Sequence, residues 1–145
     1  MDVDLGFVHH GNPYLLTDGS DSKAALSAVT GSTAERAGLS WVPELHRLYN
    51  LPANLHISGT LLEAIAWYQP PFLAKIRELY QEGLIEFVGS CYGQNVMRFC
   101  SYDHNPKQIN EELALYQLRL GIEPTQIKTF WPPSGFGTRS TWLRC

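Results

Sequence analysis

Short β-rich runs alternate with segments of helical period along most of this chain, and that rhythm constrains the fold more than any other feature. Asp4 to His9 is an apolar run closed by Gly11, Asn12 and Pro13, which suits a buried strand running into a loop. Ala53 to Ser58 is a second strand candidate and Leu84 to Gly89, set between glycines, a third. Ile127 to Trp131 is the fourth, ended by Pro132 and Pro133.

Helical patterns fill the intervals. Trp41, Leu45 and Leu48 recur at helical spacing before Leu51 and Pro52 break the run. Gly59 and Thr60 open a helix through Trp67, and Pro70 and Pro71 start a stronger one. There Phe72, Ile76, Leu79 and Tyr80 share a face until Gly83, with Lys75, Arg77, Glu78 and Glu82 mostly on the outer side. Asn105 and Pro106 begin a further helix whose stripe is Ile109, Leu113, Tyr116 and Leu120, and Gly121 stops it. Leu15 to Gly38 reads as a long loop with a helical turn around Ala24 to Val29. Strands alternating with helices in this way imply βαβ units and a parallel α/β sheet, either open or closed into a barrel. Periodicity alone does not choose between the two.

Composition narrows the function classes. With 145 residues the chain holds one domain at most, and a net charge of −3 without any basic run offers no footprint for nucleic acid. Its longest apolar stretch, Leu61 to Tyr68, falls far short of the roughly 18 residues a membrane span needs. The N-terminus lacks the basic segment and apolar core of a secretory signal, so a cytoplasmic location is expected. Cys91, Cys100 and Cys145 have no CxxC spacing and read as reduced, partly buried thiols. His46, His56 and His104 are scattered, so neither a metal nor a cofactor is expected.

Three strand ends carry marked residues: His9 and His10 after the first, Glu86 within the third, and Phe130-Trp131-Pro132-Pro133 after the fourth. In a parallel barrel all strand C-termini open on one face, where such enzymes place their chemistry. The combination resembles glycoside hydrolase family 57. Phe7-Val8-His9-His10-Gly11-Asn12-Pro13-Tyr14 is similar to that family's first-strand histidine motif with a shifted spacing, so either histidine fits. Gly83-Leu84-Ile85-Glu86 matches its Gly-x-x-Glu segment, and Trp131-Pro132-Pro133 its Trp-x-Pro-Glu motif, with Ser134 standing where the nucleophilic Glu belongs.

The resemblance implies a (β/α)-barrel, of which about four β/α units are present. It implies a retaining glycoside hydrolase or transglycosylase acting on α-glucans, with His9, His10, Glu86 and Trp131 as substrate-binding candidates. Retention needs two carboxyl groups about 5–5.5 Å apart. The nucleophile is missing and the family's Asp is not within this sequence, so no catalytic residue is assigned and the chain is expected to be inactive as written. A non-catalytic carbohydrate-binding remnant is an alternative. So is a polysaccharide deacetylase, although the His-x-x-x-His spacing of its metal site is lacking.

After Pro133 the character changes: Ser134 to Cys145 has no apolar period. Restoring one base before the Ser134 codon lets a permitted encoding of this tail read Glu-Arg-Val-Trp-Asp-Thr-Leu-Asp-Val-Ala-Pro-Val, which places the Glu at the motif position. The expected organisation is therefore a barrel segment over 1–133 and an out-of-frame tail over 134–145.

Each marked residue also has a plainer reading. The two histidines suit a polar strand end, Glu86 a surface position or salt bridge, and Trp131 core volume. Tyr92 and Trp67 are read as packing aromatics. Four strands of a barrel also leave a sheet edge and an apolar face, so poor solubility is expected.

Overall fold

Four short strands carry the architecture: β1 (Val8–Gly11), β2 (Ala53–Ile57), β3 (Ile85–Gly89) and β4 (Thr129–Phe130). In the computed structural model of the protein, which describes residues 6–12, 23–31 and 35–132, they form one sheet in the order β1-β2-β3-β4. Every neighbouring pair is parallel. Between them run α1 (Lys23–Thr30), α2 (Trp41–Tyr49), α3 (Gly59–Tyr68), α4 (Pro70–Gln81) and α5 (His104–Leu120).

A sheet wound steadily in one direction, with right-handed crossovers, keeps its helices on one face. The core bears this out. Leu55, Ile57 and Phe87 of the strands pack with Leu61 and Ile65 of α3, Ile76 and Leu79 of α4, and Tyr116 and Leu120 of α5 in one cluster. A doubly wound sheet would reverse its strand order and carry helices on both faces. The choice that periodicity leaves open therefore falls to the barrel type, of which this is a four-strand portion.

Local chemistry explains most element ends. Ser58 caps α3 by accepting from the Leu61 amide, and two prolines occupy the first turn of α4. Gly121 closes α5 with φ of 72°, a left-handed conformation that glycine adopts without the Cβ penalty. On the outside, Arg47 of α2 pairs with Glu78 of α4 and with Glu82 at its C-cap, and Lys75 with Glu44, so the two helices are also tied by charge.

The structure departs from the sequence reading at several places. The helical turn expected near Ala24 to Val29 is an eight-residue helix, α1, held to the body by Leu26 and Thr30. The remainder of that expected loop includes 15–22 and 32–34, outside the described residues. In α2 the buried positions are Pro43 and His46, while Leu48 stands 68% exposed. The helix thus turns a histidine inward, to a partner described below. Trp67, near the end of α3, is 80% exposed, so it is not a packing residue. Tyr92 is half-buried against the core and its hydroxyl donates to Glu63. Cys91 is a buried thiol and Cys100 a partly buried one, neither in a disulfide. The tail from 133 onward, with Ser134 and Cys145, lies outside the described residues.

Candidate functional site

The side chains of a strand alternate, so adjacent histidines must part company. His9 lies on the helix-covered face, with its Nε2 2.8 Å from Nε2 of His46. Nδ1 of His46 lies 2.8 Å from the Leu51 carbonyl, to which it can only donate, leaving its Nε2 as acceptor for the N–H of His9. Burial first, then His46, holds the His9 imidazole below its ordinary pKa. His10 lies on the other face, in register with His56 of β2. Their rings stack at 4.6 Å and 10°, with Nδ1 to Nδ1 at 2.8 Å. Burial and then His56 lower the pKa of His10 as well.

Of the four candidate residues, the fold brings two together: His10 and Trp131, with ring centroids 6.2 Å apart and planes within 28°. His9 is separated from them by the sheet. Glu86 is exposed on the same face as His10, in register with Asn54 and through it with Val8, toward the N-terminal end of the strands. The histidines that read as scattered are not all so, because His46 and His56 each meet one member of the doublet across more than 35 residues of chain.

The β2 and β3 ladder ends at Leu55 and Phe87, and α5 fills the opening beyond it. Tyr116, fully buried, sends its hydroxyl between the strands, where it accepts from the Ile57 amide and lies 2.8 Å from the Ile57 carbonyl and 3.3 Å from that of Val88. One turn earlier Glu112, also fully buried, accepts from the Ser90 amide through Oε2 and sets Oε1 3.3 Å from Nε2 of His56. Burial pushes the Glu112 carboxyl up, against the pull of His56 and the Ser90 amide. Burial, and then Glu112, raises the Tyr116 phenol well above its ordinary value.

A second strand of bonds fixes Trp131. Its amide donates to Gly89 at 2.8 Å, and the Ser90 hydroxyl donates to its carbonyl at 2.6 Å. Gln94 uses its two amide hydrogens on the Cys91 carbonyl at 2.9 Å and Ser90 Oγ at 3.2 Å. Its 3.3 Å approach to His56 Nε2 is then a packing contact. The arrangement presents an exposed imidazole and a 40% exposed indole at the C-terminal ends of the strands, backed by a buried carboxylate. Such a surface suits a polyhydroxylated ligand, with hydrogen bonding from the imidazole and an apolar face from the indole.

Sequence reasoning missed Glu112 and His56. The signal was available: Glu112 falls three residues after Ile109 and four before Tyr116, on the buried stripe of α5, where a carboxylate requires a partner. Among the described residues no group of three His, Cys, Asp or Glu could hold a metal ion, and no helix is long and apolar enough to cross a membrane.

A singly wound parallel β/α sheet with its polar groups gathered at the strand C-termini defines a protein of the (β/α)-barrel class. The sequence profile of glycosyl hydrolase family 57 matches residues 33–135, and the chain belongs to that family. Among solved structures, 4-alpha-glucanotransferase from Thermococcus litoralis superposes with a TM-score of 0.64 and 21% identity, over 81% of this chain and 17% of that one. The GH57-type branching enzyme from Pyrococcus horikoshii gives 0.63 and 16%, over 88% and 34%. Peptidoglycan deacetylase PdaC from Bacillus subtilis gives 0.59 and 15%, over 94% and 52%. The chain thus spans from about a sixth to about half of the length of these structures. No curated protein matches its sequence.

Proposed function

We propose that this chain supplies the first β/α units of a retaining carbohydrate-active barrel that acts on α-glucans by hydrolysis or transfer, and that as written it has no turnover. The observation that carries this reading is the family match over 33–135 on a sheet that sets His10 and Trp131 side by side at its C-terminal edge. The glucanotransferase and branching enzymes that share the fold support this substrate class. His10 and Trp131 are the sugar-contacting pair in this reading. Glu86, exposed on the same face, is a second contact further along the strands. His9 holds β1 to α2 rather than touching sugar.

A retaining pair needs two carboxylates about 5–5.5 Å apart across the scissile bond. Glu112 cannot serve, since both its oxygens are engaged by His56 and Ser90 in a fully buried position. Ser134 stands where the Trp-x-Pro-Glu nucleophile belongs. We therefore place a one-base deletion near the Pro133 codon, with 134–145 as an out-of-frame tail. Sequencing the gene across that codon tests it: a restored frame continuing Glu-Arg-Val-Trp-Asp into further barrel sequence supports the proposal. The repaired protein should then act on amylose or maltooligosaccharides. An unaltered frame followed by no barrel sequence overturns it.

The exposed Trp131 ring favours one second reading, a remnant that binds glucan without turnover. Retention of the 145-residue chain on immobilised amylose distinguishes it from an inert fragment. A deacetylase role draws on the shared fold alone.

A further inference from the structure

Glu112, His56 and His10 lie in one line from the helix layer to the exposed edge of the sheet, and with both imidazoles neutral the hydrogen bonds along that line have only two solutions. With Glu112 ionised, its Oε1 must accept from His56 Nε2–H at 3.3 Å. A neutral His56 then has a lone pair at Nδ1 and must accept, over 2.8 Å, from His10 Nδ1–H. His10 is left with a lone pair at Nε2, on the opposite edge of its exposed ring. In the second solution every bond is reversed. Glu112 donates to His56 Nε2, His56 Nδ1–H donates to His10 Nδ1, and His10 Nε2 carries the hydrogen.

The two solutions differ by one proton. A proton arriving at His10 Nε2 forms an N–H there as the His10 Nδ1–H bond breaks and its proton passes to His56 Nδ1. The His56 Nε2–H bond then breaks and its proton forms an O–H on Glu112. Neither imidazole ends as a cation, and the only change of charge is the neutralisation of a carboxylate sealed from water. A charge left on either ring would satisfy the same hydrogen bonds, but it would keep Glu112 ionised in a position closed to water.

We propose that Glu112, His56 and His10 form a proton relay that switches the exposed Nε2 of His10 from hydrogen-bond acceptor to donor. His56 and Glu112 are positioning residues in it. Assigning a sugar hydroxyl as the partner of His10 Nε2 rests on the reading given under Proposed function; the relay itself does not. The groups facing it are His56 and the Trp131 ring around His10, and the Ser90 amide and Tyr116 around Glu112. Gln94 packs at His56. Tyr116 is the one further titratable group among them, and its raised phenol stays neutral throughout.

The test is magic-angle-spinning NMR on sedimented 145-residue protein, with 15N in the histidine rings and 13C in the glutamate carboxyls. Backbone-to-side-chain correlations in a uniformly 13C,15N-labelled sample assign the signals. At alkaline pH the relay requires hydrogen on Nδ1 of His10 and on Nε2 of His56. On acidification Nε2 of His10 and the Glu112 carboxyl should titrate at one shared midpoint, each ring keeping one bare nitrogen. A doubly protonated His10 beside an ionised Glu112 overturns the proposal, and this measurement needs no variant to fold for its answer. In folded Glu112→Gln, whose oxygen accepts from Ser90, the side-chain amide donates to His56 Nε2 and should invert both tautomers. An unchanged His10 there also overturns the relay. A positive relay with no retention on amylose would leave the proton chemistry standing and remove only the sugar.

Discussion

At the scale of single residues, Tyr116 has the plainest consequences. Its hydroxyl serves the Ile57 amide and carbonyl and the Val88 carbonyl, which sit where the β2 and β3 ladder has opened. Tyr116→Phe keeps the ring volume and the edge contact with Phe87 but leaves buried backbone groups unpaired. The expected cost is about 1–3 kcal/mol, read from the shift of the urea midpoint at constant slope. The histidines give a pH dependence whose sign follows from their direction. His9 and His10 are both held below the ordinary 6.5, so the unfolded chain binds protons more readily than the folded one just below that pH. Their contribution is fully present above about 6.5 and is lost as pH falls through the folded-state values. Glu112, raised above 4.5, acts in the opposite sense: the folded protein regains stability as that carboxyl takes its proton. The midpoint should fall on going from neutral pH to about pH 5, and His9→Gln should fall less steeply, because it removes one titrating group from the sum. An equal or steeper fall in His9→Gln refutes the assignment of that loss to His9.

At the scale of elements, the fold was legible wherever backbone conformation follows from local chemistry. The prolines at the start of α4, the apolar stripe of α5 and the glycine that ends it all place their helices to within a residue or two. Gly121→Ala tests the last of these: a Cβ at φ of 72° should cost about 1 kcal/mol with no change in the sheet, measurable by urea unfolding. Legibility stopped where the partner is far along the chain. A histidine in β1 does not announce which of the distant histidines it will meet, because that depends on strand register and on which face α2 covers. The apolar pattern of α2 pointed to Leu48, yet the helix buries His46, whose two nitrogens are satisfied by His9 and Leu51. The candidate site was half legible for the same reason. His10 and Trp131 were marked by their places at strand ends, whereas Glu112 and His56 acquire meaning only when α5 is set into the gap between β2 and β3.

At the scale of the whole molecule, the sheet is the feature that decides behaviour in solution. Among the described residues β1 and β4 are its edges, and in a closed barrel both edges are taken up by further strands. The face away from the helices carries Val8, 47% exposed, beside Asn54 and Glu86. Outside it, Leu48, Trp67, Phe99 and Leu118 are each more than two-thirds exposed. A chain with an open edge on either side, a half-polar open face and large apolar side chains in water has several ways to associate and one charge of defence for about every 48 residues, given a net charge of −3 over 145. Sedimentation velocity of the 145-residue protein should therefore show association that grows with concentration, driven through the edges rather than through the helix layer. Replacing Val8 and Phe130 with lysine, one on each edge strand, should shift the distribution toward monomer, because inward or edge charges block strand addition. A monodisperse monomer that unfolds in one cooperative step would show instead that these four β/α units satisfy their own edges, and the need for the rest of a barrel would fall with it.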